Sequence, residues 1–222
     1  MASDVAFMNE RQQRIYAALA ARRSDIASMY RAALRLLSTP AEAGDELMRI
    51  SLICHSMREV MNPVLRTMGT AASSRIKPPS KTQVQELPDM LARFPGLALD
   101  ADGESVPVPR AVAKIFDKLI KTAVQEKRRS RDDVASLLTD DGNGEHLAVK
   151  RWIESRDFFV GWAHLRDEQP ELPTLPSDEL MRAHVTVFDE LFDAVTTAFF
   201  ARRQSIDDLL AEINSLEEVG NE

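Results

Sequence analysis

From Leu180 onward the chain places apolar residues at three- and four-residue steps: Leu180, His184, Val187, Phe188, Leu191, Phe192, Val195 and Phe199, continuing through Ile206, Leu209, Leu210, Ile213 and Leu216. That rhythm follows one face of a helix rather than the alternating faces of a strand. The composition agrees with it. Only 8 of 222 residues are glycine, β-branched residues are scarce, and Ala, Leu, Arg, Glu and Met are abundant, which favours helices. The expected fold is all-α: an antiparallel helical bundle with an irregular, proline-containing insertion between two helical halves.

The first helix is expected over about Val5 to Leu37, with Ile15, Leu19, Ile26, Tyr30, Leu34 and Leu37 on one face. Ser38-Thr39-Pro40 ends it. Thr39 caps a second helix from about Ala41 to Met68, which Pro63 should kink or interrupt near Asn62. Gly69 to Pro109 reads as the insertion, with a short helix over Thr82 to Phe94 that Pro88 argues against. Helical pattern returns over Arg110 to Arg129 on the face Ile115, Phe116, Leu119, Ile120, Ala123 and Val124. A brief helix follows over Arg131 to Leu138, and another over Glu145 to Leu165. Pro170, Pro173 and Pro176 punctuate a loop, after which Ser177 opens the final helix. The expected organisation is an N-terminal half (1–68), an insertion (69–109) and a C-terminal half (110–219), the two halves forming one globular domain.

The net charge of −7 is unevenly placed. Asp207, Asp208, Glu212, Glu217, Glu218 and Glu222 stand in a stretch without Lys or Arg, and the rest of the chain is close to neutral. No global field therefore attracts or repels nucleic acid. The basic run Lys114, Lys118, Lys121, Lys127, Arg128, Arg129 and Arg131 has no glycine-rich RNA motif or stacking aromatics beside it, so it reads as a solvated face. Cys54 is the sole cysteine, which leaves no intramolecular disulfide and no cysteine zinc site. No run approaches a membrane span, and the first residues do not resemble a signal peptide. The expectation is a cytoplasmic protein.

Two segments carry chemistry. One holds both tryptophans, from Trp152 to His164, with Arg156 and Asp157 inside it. On a helical wheel Trp152, Arg156, Phe159 and Ala163 fall within about 60° of one another. Arg156 is therefore expected among buried aromatics, with a designated partner. Gly161 and Ala163 are small enough to admit a helix or ligand beside His164. The other segment is His55-Ser56-Met57-Arg58-Glu59. There Leu47, Ile50, Ile53, Cys54, Met57 and Met61 form the apolar face, while Ser51, His55, Glu59, Asn62 and Arg66 lie opposite. A turn apart, Glu59 could orient His55. Functional use requires that face to meet Arg156 and His164.

Metal and hydrolase chemistry find little support. His55, His146, His164 and His184 stand singly, without Glu-x-x-His or His-x-x-x-His pairs. There is no Gly-x-Ser-x-Gly turn. No metal and no cofactor is expected.

The Arg156-Asp157 to His164 stretch resembles the active motif of the HEPN superfamily, helical proteins that include RNA-cleaving toxins and defence effectors. In that family an arginine, usually followed by a polar residue, precedes a histidine by four to six residues on a late helix. Two protomers bring these motifs together. Here seven residues intervene, which sets Arg156 and His164 about 80° apart on a regular helix. The resemblance implies metal-independent RNA cleavage, with His164 as general acid or base, Arg156 stabilising the phosphorane and Asp157 orienting one of them.

Two functions are carried forward. The first is a non-catalytic helical interaction module in a bacterial multi-component system, such as a defence or toxin-antitoxin assembly. It would be a homodimer or bind a partner protein through its long first and last helices. The alternative is the HEPN-type ribonuclease, with RNA as its partner.

Overall fold

The computed structural model describes residues 6–68, 76–97, 107–164 and 174–219, without the side chains of Arg66, Met68 and residues 199–219. Among the described residues there are seven helices and no strands: α1 (Glu10–Ala20), α2 (Ser24–Ser38), α3 (Glu46–Met68), α4 (Ser80–Leu91), α5 (Arg110–Leu138), α6 (Leu147–Trp162) and α7 (Asp178–Val219). The all-α expectation holds. No described helix is long and apolar enough to cross a membrane. The prolines Pro170 and Pro173 lie outside the described residues.

The chain forms two compact units, one of residues 1–70 with 134–222, the other of residues 71–133. This division differs from the expected halves. Most of α5 belongs with α4, inside the segment read as an irregular insertion. Glu126 accepts the backbone N–H and the hydroxyl of Ser80 at α4's first turn. Gln83 donates to Thr122 Oγ1 at 3.0 Å and to Pro78 O at 3.0 Å. Pro88 stands inside α4 and does not break it. The face expected on α5 is also displaced. Val112 and Thr122 are buried, whereas Ile120 and Val124 are exposed. The helix runs on unbroken through Ser130.

In the larger unit the expected first helix is two helices. Arg22 and Arg23 both donate to Leu19 O, and Arg23 adopts an extended backbone. Arg23 then pairs with Asp25 in the first turn of α2. The apolar rhythm runs on in sequence across this reversal because both arms bury one stripe, α1 against α7 and α2 chiefly against α3. Periodicity alone therefore does not show the turn. Asn9 caps α1 with a reciprocal capping box through Gln12. Thr39 closes α2, its hydroxyl donating to Arg35 O, and α3 begins at Glu46 rather than Ala41. Gly44 (φ 95) supplies the left-handed turn between them. Pro63 lies within α3, and the helix continues to Met68.

The core joins Ile15 and Leu19 of α1, Tyr30 and Leu34 of α2, Ile53, Met57 and Met61 of α3, Trp152 and Phe159 of α6, and Met181, Phe188 and Phe192 of α7. Phe188 is the hub, with Tyr30, Trp152 and Phe192 rings at 5.7, 5.6 and 5.3 Å. Among the described side chains of α7, the buried positions are Met181, Val185, Phe188, Asp189, Phe192 and Thr196. The stripe expected from Leu180 and His184 is thus rotated by about one residue, and Leu180 is exposed. The rotation brings a carboxylate inside. Asp189 accepts from Tyr30 Oη at 2.6 Å and from Gln12 Nε2 at 2.9 Å.

Candidate functional site

α3 and α6 pack side by side, and Ser51 Oγ of α3 donates to Ala163 O at the end of α6, at 3.0 Å. Ala163 is buried against the core. These two anchors hold His164, the next residue, over the polar face of α3. There Arg58 Nη1 donates to His164 Nε2 at 2.9 Å, and Arg58 Nη2 donates to His55 Nδ1 at 3.2 Å. Arg58 Nε and Nη2 also donate to one oxygen of Glu59, Oε1, at 3.1 and 2.7 Å. Two segments roughly a hundred residues apart thus build one cluster. Arg58 is mostly covered, with its side chain 20% exposed, and Glu59 lies nearer solvent at 39%.

Because a guanidinium has no lone pair to offer, both imidazole nitrogens facing Arg58 must accept. This fixes the tautomers: His55 carries its proton on Nε2 and His164 on Nδ1. The arginine cation occupies the place between the histidines where a metal would have to sit. Among the described residues no group of three or more His, Cys, Asp or Glu is arranged to hold a metal ion.

Arg156 does not join this cluster. His164 is bound to Arg58 instead, and the Arg156 guanidinium pairs with its neighbour Asp157, Nη2 to Oδ1 at 3.0 Å. Nor does Arg156 stand in the aromatic core. Its side chain is mostly covered, 21% exposed, but the fully buried residue between Trp152 and Phe159 is Ser155. The helix buries positions 152, 155, 159 and 163, and this three-four-four spacing turns Arg156 outward from the stripe. Ser155 Oγ meets His184 Nδ1 at 3.1 Å, while the His184 ring stacks on Phe158 at 4.0 Å. Burial lowers the His184 pKa, partly opposed by Glu154. A methyl group added at Gly161 would stand in open space, so no close approach depends on that glycine.

The remaining candidates are structural. Cys54 is buried, and desolvation pushes its thiol up to about 12. His146 caps α6, its Nδ1 accepting from Ala148 N. Arg49, absent from the sequence-derived candidates, is a buried tie. It donates to Leu36 O at 2.8 Å and to both oxygens of Asp178 at 2.6 and 3.0 Å, and that guanidinium holds the Asp178 carboxyl below its ordinary value. Lys114, Lys118, Lys121, Lys127 and Arg128 are exposed, as a solvated face requires.

Set against family models, characterised proteins and solved structures, the chain matches none.

Proposed function

We propose that this chain is a non-catalytic helical interaction module that pairs with a second copy of itself through the distal half of α7. The observation that carries this reading is the length of α7. It runs from Asp178 to Val219, whereas the neighbours packed against it, α1, α2 and α6, are no longer than 16 residues. At 1.5 Å per residue, a 42-residue helix outruns a 16-residue neighbour by roughly 39 Å.

Over that distal part, Ile206, Leu209, Ile213 and Leu216 repeat in the alternating three- and four-residue steps of a two-helix seam. Charge selects the orientation. Arg202 and Arg203 precede this seam, and Glu217 and Glu218 follow it. An antiparallel second copy sets the basic end of one helix against the acidic end of the other. In a parallel pair, Glu212 and Glu217 occupy facing flank positions of the two copies and repel. The first helix, expected to share the interface, is a short hairpin arm packed on α7 of its own chain. That leaves α7 as the docking element in this reading.

Sedimentation or light scattering of wild type, Arg203→Glu, and Arg203→Glu combined with Glu217→Arg tests the reading. The wild type should be dimeric, the single change should weaken the dimer and the double change should restore it. A monomeric wild type would refute self-pairing.

A second reading is a metal-independent ribonuclease, favoured by the two imidazoles flanking Arg58. In it His55 and His164 exchange protons with the ribose hydroxyl and the leaving oxygen, and Arg58 takes the stabilising role that the motif resemblance gave to Arg156. Both imidazole lone pairs are occupied by Arg58 N–H groups, so this chemistry requires the cluster to open first. RNA cleavage in excess chelator that disappears in both His55→Ala and His164→Ala would favour it over the module reading.

A further inference from the structure

The Arg58 cluster is an assembly of hydrogen-bond donors closed by one internal anion. A guanidinium has five N–H groups. In Arg58, Nε–H and one Nη2–H go to Glu59 Oε1, the other Nη2–H goes to His55 and one Nη1–H goes to His164. The Nε/Nη2 edge is the fork that binds the two oxygens of an oxyanion in parallel. Glu59 fills that fork with a single oxygen, so the match is incomplete. Its carboxylate is also adjacent in sequence to Arg58 and partly exposed, so solvent can reach the pair and take over from it.

The two imidazoles are poised in a related way. As neutral rings they accept from Arg58. Once protonated, each facing nitrogen becomes a donor, and two imidazolium groups cannot remain against a guanidinium without an anion between them. A tetrahedral oxyanion has enough oxygens to take the Arg58 fork and both imidazolium N–H groups. A carboxylate has only two, in one plane, so with both on the fork it presents no third oxygen to the rings. The charged and titratable groups that make this cluster are Arg58, Glu59 and His55 of α3 and His164 at the end of α6.

The geometry points to a phosphate-binding site at Arg58, in which the phosphate group takes the place of Glu59 on the fork and the rings of His55 and His164 turn N–H groups to it as further donors. Glu59 is the internal competitor that keeps the empty site neutralised. The inference rests on the cluster and not on α7 pairing, and it requires binding alone, with no cleavage.

The chain has 4 histidines, two in the cluster and two elsewhere, His146 and His184, which serve as internal controls. The test is long-range ¹H–¹⁵N NMR of the imidazoles in the full chain, titrated with inorganic phosphate, sodium sulfate and sodium acetate. Free protein should show His55 protonated on Nε2 and His164 on Nδ1. Phosphate and sulfate should move both signals together and leave His146 and His184 in place, while acetate should be ineffective. Glu59→Gln should tighten sulfate about tenfold by removing the competing charge, and Arg58→Lys should weaken it about tenfold by removing the fork. Adenosine 5′-monophosphate in a parallel arm distinguishes a free phosphate from one carried on a nucleotide, by which saturates first.

Equal shifts at all four histidines, or sulfate binding indifferent to both Glu59→Gln and Arg58→Lys, would overturn the site. A monomeric protein that still binds sulfate in this way would overturn the α7 reading and leave this one standing.

Discussion

Tyr30 and Asp189, 159 positions apart in the chain, share a buried hydrogen bond of 2.6 Å between the phenol of α2 and a carboxylate of α7. With Gln12 on the other oxygen, this contact ties three helices together at the edge of the aromatic core. It also buries a titratable carboxyl in the larger unit. Desolvation raises the Asp189 carboxyl to about 6 from 3.8, opposed by the bonds from Tyr30 and Gln12 and by Arg11, and aided by Asp193.

A carboxyl whose pKa is raised by folding binds protons more readily in the native state. Its contribution to stability is complete below about pH 4 and is lost as pH rises through about 6. A shift of roughly two units corresponds to about 3 kcal/mol. Asp189→Asn removes the titration. The stability of wild type minus that of Asp189→Asn, from urea unfolding, should therefore fall by about 3 kcal/mol between pH 4 and pH 7. A difference that stays constant over that range contradicts the buried, shifted carboxyl. Tyr30→Phe should cost about 1–3 kcal/mol at neutral pH, because it removes one of the two bonds compensating the buried charge.

Arg49 joins the last carbonyls of α2 to the start of α7 while buried in α3. Arg49→Ala should destabilise by about 2–4 kcal/mol, mainly by taking the short donor from the Leu36 carbonyl, whereas Leu37 O keeps its bond from Arg182. Asp178 is nearly half exposed, and water can replace its pairing. Asp178→Asn should therefore cost no more than about 1 kcal/mol. Equal costs for the two variants would show that the ion pair, and not the carbonyl tie, dominates.

On α6 the buried position is Ser155 and the outward one is Arg156. Ser155→Leu should cost about 1–3 kcal/mol by overpacking beside Trp152 and His184. Arg156→Ala should cost less than Ser155→Leu, because its pair with Asp157 is well exposed and its loss leaves no buried charge behind. Thermal melts of the two variants decide between this arrangement and an arginine in the core, which predicts the reverse order.

Cys54 lies fully inside the core, with its thiol raised to about 12 by burial. It should resist a thiol-reactive disulfide reagent at pH 8 in the native protein and react at once in denaturant. Prompt labelling without denaturant would mean that α3 is not packed as described.

The helical class was legible because composition favours helices and the period is clear in α2 and α3, although it misplaced the face of α5. The apolar face of α3 was read correctly, since Ile50, Ile53, Cys54, Met57 and Met61 are all buried. What stayed hidden depends on tertiary choice. The turn at Ala21 to Arg23 carries no glycine or proline, and both arms bury the same stripe, so the period runs through it. On α6 the wheel admits either Ser155 or Arg156 next to Trp152, and only packing against His184 and Phe188 selects the serine. The site was half legible. His55, Arg58, Glu59 and His164 were singled out from two segments, but the guanidinium that meets His164 comes from α3. A sequence period reports which face a residue shares, not which helix lies across from it. Asp189 and Arg49 were missed for a related reason: each is a charge inside an apolar run whose partners are distant in sequence.

The larger unit is assembled from two separate stretches of sequence, residues 1–70 and 134–222, with the residues of the other unit, 71–133, between them along the chain. A ribosome makes it in an awkward order. The hairpin of α1 and α2 and the apolar face of α3 leave the exit tunnel long before Trp152, Phe159, Phe188 and Phe192, which must cover them. At about 5–20 residues per second the gap from α3 to Phe188 lasts on the order of ten seconds. During that interval α4 and α5 can fold while the first three helices wait with Met57, Met61 and Tyr30 uncovered. Completion of this core is thus a late event in synthesis, and truncation before α7 should yield a chain that needs chaperones rather than a smaller stable protein.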